Sequence, residues 1–342
     1  MATHLKVFAV LCLWACIAGS AAAQVDDQLT ARHRVFPGIG PGLRAVKRGP
    51  DGRYYVLASP LVGLAIFDAS GSKRELTIAA PSGSMAGSSG AGSLAALGSE
   101  RPVIVFGEDA DVGAQGKIYV ADRGLDAISV FSADGKLLQS IPVKTPISVA
   151  VLPDGEVAVS TLRDPRLVIV FDKHGRDVRE FGDAEQLSER EDLNRFLSNG
   201  FLMSNGPQLY YGFSYLPEPT VRQFDTHGYA GVDFQFNSVH AMPEASAIRR
   251  EIERQERKAG APSFKKVLTA FGVDRKTGEL WMATHNTLMH FDKDGNRRTT
   301  YQIYTPEGAR LEANVILVED ERLLIGSDPL GVYDFERPDK KK

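Results

Sequence analysis

Apolar and polar residues alternate along most of this chain in short runs, and glycine-containing turns separate the runs. Residues 147–183 show the pattern most cleanly. ISVAVLPDG (147–155) is followed by EVAVSTL (156–162), then RLVIVFDKHG (166–175), then RDVREFGD (176–183). A period of two means side chains pointing alternately to two faces of a strand, and Asp-Gly or His-Gly punctuation means hairpins. The stretch therefore predicts four short antiparallel strands. The same grammar recurs in 43–79, 116–143 and 270–304.

One turn is written repeatedly. FDKHG at 171–175 matches FDASG at 67–71, FSADG at 131–135, FDTHG at 224–228 and FDKDG at 291–295, with a worn copy, YDFER, from Tyr333. Successive copies lie 64, 40, 53, 67 and 42 residues apart. Two of these steps match the roughly 40–45 residues of one four-stranded propeller blade. The other three read as a blade plus an insertion. Six turns then predict an all-β, six-bladed β-propeller of four-stranded antiparallel blades, occupying 24–342 as a single domain. The aromatic residue that opens each turn is expected to pack between neighbouring blades. The last unit supplies only three strands, so a strand from LTARHRVFP (29–37) is expected to complete it and close the ring, which removes the open sheet edge.

At this point the chain resembles the NHL-like six-bladed propellers. The resemblance rests on GKIYVAD (116–122) followed by ISVFSADG (128–135), and on VAVLPDG (149–155), and extends over about 29–337. Gluconolactonase-like and TolB-like propellers are neighbouring possibilities. Propeller topology places the first-to-second and third-to-fourth turns on one plain face. The second-to-third-strand loops and the links between blades lie on the other.

The insertions fall on those links, at about 81–100, 183–200 and 237–263, and so crown one mouth of the central channel. The first is rich in Gly, Ser and Ala. The second predicts a short helix carrying Leu187, Leu193, Phe196 and Leu197. The third predicts a helix starting at Pro243 and stopping near Gly260 and Pro262, with a thin apolar stripe of Ala245, Ile248 and Ile252. Arg249–Glu253 and Glu253–Arg257 pairs are expected to support it. A disordered basic tail is expected at 338–342.

Charge and cysteine content narrow the function classes. The formal net charge is −3, which gives no electrostatic case for a nucleic-acid partner. Residues 1–23 read as a secretory signal: Lys6, the apolar run VFAVLCLWACIAG, and a small-residue site before Gln24. A secreted or periplasmic protein, monomeric, is expected. Membrane attachment would come only through lipidation at Cys16. Both cysteines, Cys12 and Cys16, lie in this leader, so the mature chain has no thiolate nucleophile or zinc ligand.

Ligand contacts are expected on the second-to-third-strand loops of the crowned face. These are Asp122, Arg123 and Asp126; Arg163, Asp164 and Arg166; Tyr215 and Glu218 within the aromatic, proline-rich YYGFSYLPEP; His285 and Asn286; and Asp328. The leading expectation is a non-enzymatic module recognising a peptide, glycan or protein partner at that face, without a cofactor. The resemblance to lactonase and lyase propellers implies the alternative. This is a metal-dependent hydrolase or lyase at the same mouth, holding one divalent ion, calcium or zinc, near His240 and His285. GEDADVGAQG (107–116) has calcium-loop style but fails the twelve-residue loop pattern. It is expected to form an elaborated turn on the plain face. No G-x-S-x-G nucleophile motif and no phosphate-binding glycine loop is present.

Overall fold

Each alternating unit folds as a four-stranded antiparallel sheet, and six such sheets form a ring. The structure is a computed structural model that describes residues 27–80, 103–162, 164–236, 243–257 and 264–340. The signal segment, the 81–100 insertion, Arg163 and His240 lie outside the described residues. Blades 1 to 4 span 43–79, 107–142, 146–183 and 200–235. Blade 5 spans 270–304 and blade 6 spans 315–336. The first strand of each blade lines the centre: Leu43–Arg48, Gly107–Val112, Pro146–Val151, Gly200–Asn205, Ala270–Val273 and Val315–Val318.

GEDADV is therefore not a turn. It is the innermost strand of blade 2, and only residues 113–117 turn on the plain face. Alternation explains the correction. Ala110 enters the interface with blade 1, while Asp109 and Asp111 bond across to blade 3. Asp109 accepts the Ser148 hydroxyl, and Asp111 accepts the Val151 N–H at 2.8 Å.

The core consists of six apolar clusters, one between each pair of adjacent blades. Each turn aromatic is buried in one of them: Phe67, Phe131, Phe171, Phe224, Phe291 and Tyr333. The turns have a local cause as well. In four of them one Asp carboxylate oxygen accepts two backbone N–H groups. Asp68 takes those of Ser72 and Lys73, Asp172 those of His174 and Arg176, Asp225 those of His227 and Tyr229, and Asp292 those of Asp294 and Asn296. The Arg176 N–H is the main cause that draws the Asp172 pKa down to about 2.

The turn glycine has a left-handed φ, 94° at Gly228. A Cβ there would also lie 2.4 Å from Phe181 Cγ. Gly228→Ala should cost at least about 1–2 kcal/mol from backbone strain alone. A chemical denaturation midpoint within error of the parent would contradict this.

The N-terminal segment closes the ring as expected and does one thing more. His33–Val35 pairs antiparallel with Gly331–Glu336, supplying the fourth strand of blade 6. Just before it, Asp27–Thr30 lies parallel to Arg297–Tyr304 and adds a fifth strand to blade 5. Leu29 and Ala31 enter the blade 5–6 core, and Phe36 and Ile39 enter the blade 6–1 core. One short segment thus spans two interfaces.

Two α-helices lie among the described residues, α1 (Glu191–Leu197) and α2 (Pro243–Arg257), on the links into and out of blade 4. Leu193 and Leu197 pack against Ile248, Ile252 and Val267, so two of the three stripe residues of α2 are buried with α1, while Ala245 enters the blade 4–5 core. Leu187 is outside the helix and 37% exposed. The expected Arg249–Glu253–Arg257 pairs do not form. Arg249 instead binds Glu218 of blade 4, which ties α2 to the propeller, and Arg254 binds Glu251. Neither helix is long and apolar enough to cross a membrane. The tail is also different from expectation through Lys340. Pro338–Lys340 form a 3-10 turn whose Asp339 is held by Arg337 at 2.6 Å.

Candidate functional site

The inner strands start at the crowned face, so the residues that begin them rim the channel. Arg44, Glu108, Ile147, Phe201, Lys266 and Asn314 line a cavity of about 170 Å³, together with Lys47, Asp109 and Asp328. Every blade contributes at least one wall residue. The wall is stitched by hydrogen bonds: the Ser148 hydroxyl donates to Asp109 and accepts the Leu202 N–H at 2.9 Å, linking blades 2, 3 and 4. Burial, opposed by the charge of Lys47 and by Ser148, raises the Asp109 pKa.

One side of the rim is a clamp. Phe106 lies under two guanidinium groups, Arg123 at 4.6 Å and Arg44 at 5.6 Å from its ring centroid. Glu108 joins both, 2.8 Å from Arg123 and 3.7 Å from Arg44. Their charges are partly offset by it, and both planar guanidinium groups lie over the Phe106 ring.

Lys266 stands opposite in a different condition. It has no hydrogen bond and no ion pair among the described residues. Its side chain is open to the channel solvent. Protein nevertheless surrounds it closely enough that desolvation lowers its pKa. Glu108 opposes that effect and Arg44 adds to it. An accessible, unpaired ammonium inside a concave wall attracts negative charge.

Beside Lys266 the crown supplies aromatic surface. Phe196 of α1 packs on Tyr215 and Phe264, with ring centroids 5.0 and 5.6 Å apart, and all three are half-buried. Burial, and then the charge of Glu108, raises the Tyr215 hydroxyl pKa, which places that hydroxyl within reach of the clamp's field.

The residues singled out on the loops thus separate into two groups. Arg123, Tyr215 and Asp328 lie at or beside the rim. Asp328 accepts the Gly42 N–H at 2.8 Å, and its own N–H donates to Asn314. The others are occupied in loop architecture. Asp122 accepts the Val105, Phe106 and Gly124 N–H groups. Asp126 accepts the Thr145 N–H, and Asp164 accepts that of Arg166, whose guanidinium binds Asp183. Glu218 holds Arg249, and the Asn286 amide donates to Gln302 at 2.7 Å.

His285 lies at a left-handed φ of 53°, 4.0 Å from the exposed Glu312. Of the YYGFSYLPEP aromatics, Tyr210 points into the blade 4–5 core, and Tyr211 and Phe213 into the blade 3–4 core. Only Tyr215 remains available at the mouth.

Arg44, Glu108 and Lys266 lie outside the second-to-third-strand loops, and no local motif marks them as wall residues. Their signal was position: each begins or closely precedes an innermost strand, where a charged residue can face only the channel.

No protein-family model and no curated protein matches the sequence. Solved structures do. A streptogramin B lyase is 13% identical, with a TM-score of 0.52, over 87% of this chain and 84% of that one. Virginiamycin B lyase from Staphylococcus aureus is 11% identical, with a TM-score of 0.52, over 90% and 87%. A gluconolactonase from Xanthomonas campestris is 16% identical, with a TM-score of 0.52, over 87% of each chain. The protein is a six-bladed β-propeller, and the NHL-like build expected from the sequence fits this fold. At such identities the likeness is one of fold.

Proposed function

We propose that the crowned mouth of the channel binds a carboxylate-bearing ligand, an acidic glycan or an acidic peptide, without transforming it. The observation that carries this reading is Lys266, an accessible ammonium with no partner, across the channel from the Arg44–Glu108–Arg123 clamp. The carboxylate end enters beside Lys266. A sugar ring or apolar side chain lies along Phe196, Tyr215 and Phe264, where stacking adds affinity. Export through residues 1–23 belongs to the same proposal, and the intact mass of protein recovered from the producing cell's exterior tests it.

The binding test uses uronic-acid oligosaccharides and glutamate-rich peptides as probes, with calorimetry as readout. Lys266→Met should weaken the best probe on the order of 10-fold, the loss of one charge-assisted hydrogen bond. Only the ammonium form binds an anion, and its pKa lies below the ordinary 10.5. Affinity should therefore fall as pH rises, starting at lower pH than an ordinary surface lysine would give. Equal affinity of the parent and Lys266→Met for every probe bound would end this reading.

The second reading is a lyase or hydrolase at the same mouth. A lysine biased toward its neutral form inside a cavity has the character of a general base, and the similar structures include lyases and a lactonase. A metal-dependent version needs several ligand side chains at the mouth. Among the described residues, the one set of three such groups lies at the opposite end of the propeller. Turnover of a bound probe, abolished in Lys266→Met, would favour this second reading.

A further inference from the structure

Glu279, His290 and Asp339 each bring one potential ligand atom within 4.8 Å of the others. They lie on the plain face, at the far end of the channel from Lys266. Glu279 ends the first turn of blade 5, His290 is near the plain-face end of the third strand of that blade, and Asp339 belongs to the C-terminal 3-10 turn.

His290 is the informative member. The residue is only 4% exposed, and its ring is stacked on Trp281 with centroids 4.1 Å apart and 7° between planes. Its Nε2 has no hydrogen-bond partner and stands 3.7 Å from Glu279 Oε2. Leaving a buried polar atom unpaired is costly, so such an atom points to something that completes it.

Charge supplies an independent indication. Asp274, Glu279 and Asp339 surround a single buried guanidinium. Arg337 is 2.5 Å from Asp274, 2.6 Å from Asp339 and 3.7 Å from Glu279. Three carboxylates against one guanidinium leave two negative charges; of the lysines, Lys340 stands 3.9 Å from Asp339 on the rim, and the exposed Lys276 beside Asp274 is paired with Asp320.

We infer that this cluster binds a first-row divalent cation of the zinc class through His290 Nε2 and the Glu279 and Asp339 carboxylates. A donor set with an imidazole nitrogen suits zinc and its neighbours better than calcium or magnesium, which take oxygen. Ligand atoms around zinc sit about 2.0–2.2 Å from the ion, so the cluster must tighten. Asp339 stands on a three-residue 3-10 turn outside the sheets. Its oxygens can keep Arg337 on one lone pair and offer the other. The ion would pin the C-terminal turn to blade 5, beside the interface with blade 6.

The test is a zinc titration of untagged protein stripped with EDTA, followed by calorimetry and thermal melting. One zinc per chain is expected, with a melting temperature raised by roughly 3–6 °C at about 100 times the Kd. His290→Gln should weaken binding on the order of 100-fold. Asp339→Asn, which keeps the side chain's size and one oxygen acceptor for Arg337, should weaken it at least about 10-fold, since even outer-shell losses cost that much, and its urea denaturation curve reports whether the fold is kept. His285→Ala, at the crowned face, should change nothing. If His290→Gln does not fold, Asp339→Asn decides. Absence of zinc binding, parent-like affinity in Asp339→Asn, or loss of binding in His285→Ala would each overturn the assignment.

Discussion

Phe36→Ala should lower stability by about 3–5 kcal/mol, the cost of emptying a large buried aromatic site. Phe36 is 1% exposed and lies against Tyr54 and Phe67, with both ring centroids 5.1 Å away. It follows directly on the strand that completes blade 6, so its ring carries closure into the blade 6–1 core. Truncation to alanine leaves a cavity that no neighbouring chain segment can fill, because the flanking strands are fixed by their own ladders.

Loosening His33–Val35 would also expose the edge of Gly331–Glu336 and turn a closed ring into an open one. The melting temperature should fall by roughly 5–10 °C. Removing residues 27–30 instead takes away the added parallel strand but leaves closure in place, and should cost less. A parent-like melting temperature for Phe36→Ala would show that the ring is closed by something other than this segment.

Arg337→Met should be comparably damaging, about 3–5 kcal/mol, for an electrostatic reason. The Arg337 guanidinium is fully enclosed. It donates to Asp274, to both Asp339 oxygens and to the Glu319 carbonyl at 3.1 Å. Methionine preserves much of the volume and removes the charge. Buried Asp274 then keeps only the Lys276 and Thr277 N–H groups. The cost arises from an uncompensated buried carboxylate rather than from lost packing. The double variant Arg337→Met with Asp274→Asn should therefore recover part of the loss. Urea denaturation of the parent, both single variants and the double variant measures this coupling. Strict additivity of the two single effects would refute the account.

The aromatic crown and the Glu279–His290–Asp339 cluster sit on opposite faces of the propeller, and neither could be assigned from local sequence. FDTHG could be read directly, because its causes are local: a carboxylate capping two N–H groups and a glycine at positive φ. The count of blades follows from that turn, and the side-chain period gives the strands between. Strand closure by 29–37 was legible from a simple shortage of one strand. The parallel strand Asp27–Thr30 was not legible, since no alternation marks it and its partner lies some 270 residues away.

What the sequence by itself determined is the propeller, its six inter-blade aromatics and the ring closure. Each of these depends on periodicity or turn chemistry contained within a few residues. Only the tertiary structure decided which charged residues meet. Asp126, Asp164 and Asn286 have the same composition as ligand contacts, but their backbone neighbours consume them. Lys266 and Arg44 come from opposite parts of the chain and face one channel only because the ring bends their strands together. His290 and Asp339 likewise become neighbours through the blade 5–6 interface. Local pattern fixes where strands begin and end, whereas a site is a juxtaposition across blades, and closing the ring is what creates it.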